Sequence, residues 1–379
     1  MVNQGRRNSK IYSFLGFGLL LLALTVWWWT IPSGHLADSN PPVRGLWVVR
    51  YNLATQAEID GVIKAAETAG FQGIFAQVCG RAESYYNSDL LPLATGVEPG
   101  FDPLAYLLTE AHRRGIQVHA WVNAYTISSL SQIPESPQHV LNRHPEWILV
   151  DNNGRSLRNY QKATEDVPAI FLDPGAAGVR GFVAAIVEEI LERYPVDGIH
   201  LDYIRYPGAQ FGYSPSSRQQ FQAVYGWDPL KDQLFCGSEW DDWRRAQVTA
   251  TVAEIKSIVD AQTRAVQYST AVFFDPAVAR ESYFQDWPTW IQSDLVDFVV
   301  PMVYLEDPIR FALALQKIED YVDQKRVYPG IGAYKILDRP EALTAQVLRS
   351  LEMGFSGVVF FEYRTMAQAN LFSRIAQIW

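Results

Sequence analysis

Residues 197–207 read Asp197-Gly198-Ile199-His200-Leu201-Asp202-Tyr203-Ile204-Arg205-Tyr206-Pro207. An Asp-Gly turn opens the stretch, a short alternating run follows, and a carboxylate closes it before an aromatic exit. Read as a strand, it puts His200 and Asp202 on one face and Ile199 and Leu201 on the other. Asp197 stands in the opening turn, so it reads as structural. Asp202, at the far end among apolar neighbours, has no structural duty to explain it and reads as functional.

The same unit recurs on both sides. Arg44 to Asn52 reads as a first strand, followed by a helix from Thr55 to Ala69 that Gly70 stops. Gly73 to Cys79 is a second strand. Asp102-Pro103 opens the next helix, Asp as N-cap and Pro at the first helical position, running to Arg114. Gln117 to Tyr125 is the third strand, and a helix from Gly178 to Tyr194 leads to the fourth. A helix from Trp243 to Arg264, a strand from Gln267 to Phe274 and a short helix from Trp287 to Ser293 follow. Asp297 to Tyr304, Val327 to Ala333 and Gly357 to Tyr363 complete the strands, and Met366 to Trp379 closes the ring. Strand–helix alternation implies a parallel sheet with right-handed crossovers. Eight such units predict an α/β fold, a (β/α)8 TIM barrel over residues 43–379. An open doubly wound sheet lacks its signature here, because no glycine-rich phosphate turn follows the first strand.

Ahead of the barrel, residues 1–10 form a basic tail with Arg6, Arg7 and Lys10, and residues 11–31 carry no charge. At about 1.5 Å per residue, a helix over 11–31 spans roughly 30 Å, the thickness of the hydrocarbon core. The basic tail should stay in the cytoplasm, with Trp27, Trp28 and Trp29 at the far interface. The expectation is one N-terminal transmembrane helix, a polar linker over 32–42, and an extracytoplasmic barrel in the periplasm or at the cell surface. A cleaved signal segment and a secreted product form the alternative, although Ser33 to Ala37 makes a poor cleavage site. The Arg6-Arg7 pair matches a twin-arginine signal only weakly.

A chain of 379 residues, 48% of them hydrophobic, can bury a core of this size. Its net charge of -9 argues against a nucleic-acid partner, since counterion release needs a basic surface. Twelve Trp, 19 Tyr and 19 Phe supply rings that stack on sugars as readily as they pack a core. Cys79 and Cys236 belong to no CxxC pair, which leaves one disulfide or two free thiols open. No HExxH or G-x-S-x-G occurs, and His139 and His144 lack helical i, i+4 spacing. A zinc deacetylase and a serine esterase are both disfavoured, and neither metal nor cofactor is expected. Nothing in the sequence specifies a protein partner.

In such barrels the chemistry gathers at the carboxyl ends of the strands. The longest loops, Gly80 to Phe101, Thr126 to Ala177 and Gly208 to Asp242, leave strands two, three and four and would wall one side of a groove. Gln77 and Arg81 lie at the end of strand two. On strand three His119, Trp121, Asn123 and Tyr125 share a face, with His119 deep in the core and the other three suited to sugar contact. His200, Tyr203, Arg205 and Tyr304 join this substrate-binding set. Arg205 could pair with Asp202 or with a sugar carboxylate.

The blocks Arg44-Gly45-Leu46-Trp47, Asp102-Pro103-Leu104, Trp121-Val122-Asn123, Asp197 to Tyr203 and Arg205-Tyr206-Pro207 have a further significance. Together they resemble the glycosyl hydrolase-like 10 family, bacterial TIM-barrel proteins linked to cell-wall and other extracellular glycans. The resemblance extends over Val43 to Trp379, and the strand-four block is its most specific part. It implies a glycosidase-like site with Asp202 as the residue carried over. Glycoside hydrolysis uses two carboxyl groups, one protonated and one ionised. Glu306 is one candidate partner, because barrels of the galactosidase type carry their acid/base past strand six and their nucleophile on strand four. Glu362 is the other, because the apolar run Val358 to Phe361 would desolvate it as a general acid requires. A salt bridge to Arg364 or to an arginine of strand one is the bland alternative for Glu362. The expectation is a glycoside hydrolase acting on an extracytoplasmic bacterial polysaccharide, peptidoglycan glycan strands foremost. Asp202 would serve as nucleophile or base, and Glu306 or Glu362 as acid. A non-catalytic carbohydrate-binding envelope protein on the same barrel is the competing expectation.

Overall fold

The computed structural model describes residues 43–164 and 167–379. Its main sheet follows from the alternation: β1 Val43–Val48, β2 Gly73–Cys79, β3 Gln117–Asn123, β4 Gly198–Asp202, β5 Gln267–Phe273, β6 Phe298–Val303, β7 Gly330–Gly332 and β8 Gly357–Phe361. These eight pair in parallel with their sequence neighbours, and β8 closes on β1 through Val43 opposite Gly357 and Leu46 opposite Phe360. The result is the closed barrel that the alternation predicts.

Because side chains alternate across a strand, the barrel has two cores. Leu46, Ile74, Val118, Ala120, Ile199 and Leu201 face outward under the helices. Trp47, Phe75, Trp121, Phe298, Val300 and Val359 fill the interior. Two histidines share that interior. The Trp47 indole N–H donates to His200 Nε2 at 3.1 Å, and His200 Nδ1 meets the Ser269 hydroxyl at 2.9 Å. Burial drives the His200 pKa well down, so a neutral ring holds this place. His119 stacks on Phe75 with centroids 4.5 Å apart, and burial lowers it to about 4.

The helices start where the sequence places their caps. Thr55 closes a full capping box with Glu58 on the helix Gln56–Ala69, and Gly70 ends it at φ 67°. Asp102 caps Pro103–His112. The helix before β5 is longer than its apolar spacing suggests, Gln233–Asp260, with a kink at Cys236. Strand β7 is shorter than expected; Val327 makes only an isolated bridge to Val299. The helix Pro215–Tyr225 occupies a stretch read as loop, and a further helix, Pro276–Tyr283, lies between β5 and the short helix Trp287–Gln292. Cys79 and Cys236 are both free and buried.

The three long loops form one wall, as their lengths suggested. Within the second, Thr126–Ser128 pairs antiparallel with Ile170–Phe171. His139 from that loop meets the carbonyl of Arg81 in the first at 2.8 Å. Asp151 bridges to Phe211 in the third, and Asn152 N–H donates to Gln210 O at 2.8 Å. The basic tail, the apolar segment and the linker lie outside the described residues. Among the described residues, no helix is long and apolar enough to cross a membrane.

At the opposite end of the barrel, Asp197 has the structural role that its turn position implied. Its Oδ2 accepts the Val118 N–H at 2.7 Å and lies 2.8 Å from His112 Nε2. Asp297 repeats the device one strand pair further on, accepting the Tyr268 N–H at 2.7 Å. Each carboxylate satisfies a backbone donor on the neighbouring strand. Asp197→Ala should therefore lower the free energy of unfolding by about 1–3 kcal/mol in urea titrations. An unchanged urea midpoint would contradict this role.

Candidate active site

The site is built on one carboxamide. Asn123, at the end of β3, accepts N–H donors from Gln77 Nε2 at 3.2 Å and from Trp121 Nε1 at 2.9 Å. Its own Nδ2 donates to Gly80 O and to Thr126 Oγ1, both at 2.9 Å. The network extends to β1, where Arg50 Nη1 donates to Gln77 Oε1 at 2.9 Å. Asn123 is also the register partner of Asp202 on β4. Buried polar side chains thus join the carboxyl ends of three adjacent strands, and backbone register ties the fourth to them.

Asp202 sits at the rim of this network, 8% exposed. Burial pushes its carboxyl up to about 6, against the pull of the Tyr203 N–H, the Arg205 guanidinium and the Trp121 indole. The Tyr203 N–H donates to Asp202 Oδ1 at 2.6 Å. Tyr203 makes that bond from a left-handed conformation, φ 51°, which an L side chain adopts at a cost. No carboxylate contributes to the Asp202 shift among the described residues.

Aromatic rings line the remainder of the mouth. Tyr304 stacks on Phe361 with centroids 5.4 Å apart, and Trp47 meets both edge-on, at 6.5 and 5.9 Å. Burial raises the Tyr304 phenol well above its ordinary range, and the Asp202 charge adds to the effect. Strand β7 makes room for these rings. A Cβ on Gly330 would come within 2.8 Å of the Trp47 ring, and one on Gly332 within 2.9 Å of Tyr304.

Gln77, Trp121, Asn123, Tyr203 and Tyr304 thus converge around Asp202. Arg205 lies close by but forms no ion pair with it. Its guanidinium is buried over the rings of Phe273, Tyr203 and Tyr283, at 4.7, 5.1 and 5.2 Å, and donates to Tyr206 O. Arg81 reaches from the loop after β2 to Gln132 Oε1 at 3.2 Å.

Two expected contact residues point elsewhere. The strand ends at Asn123, so the alternation that placed Tyr125 in the mouth fails there. The Tyr125 hydroxyl donates instead to Thr251 Oγ1 at 2.8 Å, on the helix Gln233–Asp260. His200 does face inward, but it is fully buried beneath the mouth, bonded to Trp47 and Ser269.

The two candidate partners differ sharply. Glu362 is the N-cap of the helix Tyr363–Gln368, its oxygens accepting the N–H groups of Arg364 and Thr365, each at 3.0 Å. Neither salt bridge suggested by the sequence forms. Glu306 is exposed in the loop after β6 and pairs with Arg339 at 2.9 Å. Arg50, Trp47 and Phe361 are the mouth residues that sequence reading missed. Arg50 was legible in principle, as a charged residue just past the first strand, but that strand had been extended over it to Asn52.

A closed (β/α)8 barrel with a buried acid and aromatic rings at its strand ends is a glycosidase-like architecture. The chain belongs to the glycosyl hydrolase-like 10 family, whose model matches residues 42–342. It is 25% identical over 350 residues to "Glycosyl hydrolase YngK" of Bacillus subtilis, covering 81% of this chain but only 64% of that protein. It is 25% identical over 363 residues to "Glycosyl hydrolase DigH" of Escherichia coli, covering 80% of this chain and 76% of that one. The glycoside hydrolase domain of PgaB (BpsB) from Bordetella bronchiseptica shares the fold at a TM-score of 0.71 and 15% identity, over 89% of this chain and 99% of that domain. A β-galactosidase from Marinomonas ef1 does so at a TM-score of 0.57 and 13% identity, over 88% of this chain and 59% of the enzyme.

The capping geometry of Glu362 has a measurable consequence. Replacing it with Ala should cost about 1 kcal/mol of stability, the usual loss for an N-cap. Chemical denaturation of the two proteins side by side checks this, and equal midpoints would mean that the cap carries no weight.

Proposed function

We propose that this protein is a glycoside hydrolase acting on an extracytoplasmic bacterial polysaccharide, with peptidoglycan glycan strands as its substrate. The observation that carries the reading is the Asp202 carboxyl, buried at the end of β4 among aromatic rings and pushed up to about 6. A general acid must keep its proton near the working pH and still release it, and desolvation is how barrels achieve that. Asp202 therefore serves as the proton donor to the glycosidic oxygen, the reverse of the nucleophile or base role inferred from sequence.

The ionised partner in this scheme is Glu306. Its ion pair with Arg339 is largely solvent-exposed, and such pairs contribute little, so the carboxylate is free to turn toward substrate. Glu306 stands two residues beyond Tyr304, whose phenol feels the Asp202 charge. Glu362 has both oxygens engaged in its cap and is the poorer partner. That engagement also favours a second reading, a carbohydrate-binding barrel without hydrolysis. Both readings place the barrel outside the cytoplasmic membrane, held by residues 11–31 or released from them.

Asp202→Asn should reduce reducing-end release from denuded peptidoglycan strands by on the order of 10²–10⁴-fold while circular dichroism stays unchanged. Full activity in that variant would overturn the assignment, and strand binding with no hydrolysis in the wild type would favour the second reading.

The pH dependence has a definite sign. A carboxyl raised to about 6 is protonated below that pH, so the limb of kcat/KM owed to the acid should fall as pH rises through about 6. Stability is linked to the same shift. The folded protein holds this proton more tightly than the unfolded chain, so the contribution is full below the ordinary carboxylate range. It is lost as pH climbs through about 6. Relative to Asp202→Asn, the wild type should lose on the order of 2–3 kcal/mol between pH 4 and pH 7. A pH-independent stability difference between the two proteins would contradict the buried acid.

A further inference from the structure

We propose that Arg50 and Arg81 form a subsite for the carboxylate of an acidic sugar, beside the position where Asp202 acts. The inference rests on the hydrolytic reading above and adds to it the chemistry of the substrate. Arg50 is 7% exposed, yet it pairs with no carboxylate among the described residues. Burial lowers its pKa, and the charge of Arg81 adds to that effect. Glu83 is the carboxylate that acts on Arg50, and it does so from beyond ion-pair distance. Arg81 forms no ion pair among the described residues either, and spends one N–H on the neutral Gln132. A buried cation that lacks an ion-pair partner is costly, and an anion joining it would offset that cost.

Both arginines are built in rather than loosely placed. Arg50 Nη1 is fixed by Gln77, and Nη2 donates to the Tyr51 hydroxyl at 2.6 Å. Gly80 lets the chain pass close to it; a Cβ there would lie 2.8 Å from Arg50 Nη1. Arg81 is positioned through its backbone. Leu141 N–H donates to His139 Nδ1 at 3.2 Å, which leaves His139 Nε2 to donate to Arg81 O at 2.8 Å. The location follows from Tyr203. Its charge environment includes Asp202, Arg50 and Arg81, and the Asn123 network supplies the geometry. Arg50 is bonded to Gln77, Gln77 to Asn123, and Asn123 both meets the carbonyl of Gly80, the residue before Arg81, and stands opposite Asp202 in register.

The ligand follows from these groups. A guanidinium offers paired N–H donors that match a planar carboxylate, and a glycan lying in the mouth presents that group from a ring substituent or a uronate. Arg50 and Arg81 supply positive charge at the mouth of a chain whose net charge is -9. An acidic glycan is therefore drawn to this point and not to the surface at large.

The test compares denuded peptidoglycan strands, whose lactyl groups carry free carboxylates, with the same strands after carboxyl reduction to alcohols. The full-length wild type should lose roughly ten- to hundredfold in kcat/KM on reduction, the worth of charge-assisted hydrogen bonds. In Arg81→Gln and Arg50→Gln the ratio between native and reduced strands should collapse toward one. Equal cleavage of both strands by the wild type would overturn the subsite and leave the hydrolase reading standing. If neither strand is cleaved, calorimetric binding to Asp202→Asn decides the matter. Tighter binding of native strands supports the subsite, and equal binding refutes it. Competition by polygalacturonate separates a general carboxylate site from one shaped for the lactyl group. The more exposed Arg81 variant keeps the test valid if Arg50→Gln fails to fold.

Discussion

The Asn123 carboxamide is the point at which the mouth of this barrel is tied together. It takes two N–H donors from one side and gives two from the other, so it is fully used and fixed in orientation. Losing it would orphan Gln77 and Trp121 in a buried setting, where an unmade hydrogen bond is expensive. Through Gln77 it fixes the Arg50 guanidinium. Through register on β4 it fixes the height of Asp202. A polar cluster of this kind is worth its desolvation only when complete, and here it is complete.

The same arrangement explains how an acid and several cations share a small space without neutralising one another. Arg205 spreads its charge over aromatic faces instead of meeting Asp202, and Arg50 meets an amide and a phenol. Direct ion pairing would pull the Asp202 pKa down and take away the proton donor that the proposed mechanism requires. The aromatic boxing of Arg205 keeps the cation close enough to temper the acid, and desolvation still dominates.

Most of the barrel was legible because two periodicities, strand and helix, alternate along almost the whole described chain. The failures fall where local pattern stops governing. Strand β7 is only Gly330–Gly332, and its two glycines stand where a side chain would meet Trp47 or Tyr304, a tertiary demand invisible in the sequence. Tyr125 continues the alternation on paper, but the strand has ended and the ring turns to the helix layer. The place of Asp202 at the buried end of β4 was legible because the alternation of the strand carries through to it. The capping role of Glu362 was not foreseen because the helix it caps is short and carries no apolar periodicity to announce itself. Arg50 was overlooked when a helical turn, Arg50–Asn52, was read as strand.

The two glycines of β7 have a consequence for how this fold can change over generations. Trp47 of β1 and Tyr304 beyond β6 both lean into the space that Gly330 and Gly332 leave empty. A side chain at either glycine is admissible only if the opposing ring shrinks in step. Three separate strands are thereby bound into one unit of inheritance. The breadth of the aromatic floor beside Asp202 can drift only by coordinated exchange among positions 47, 304, 330 and 332.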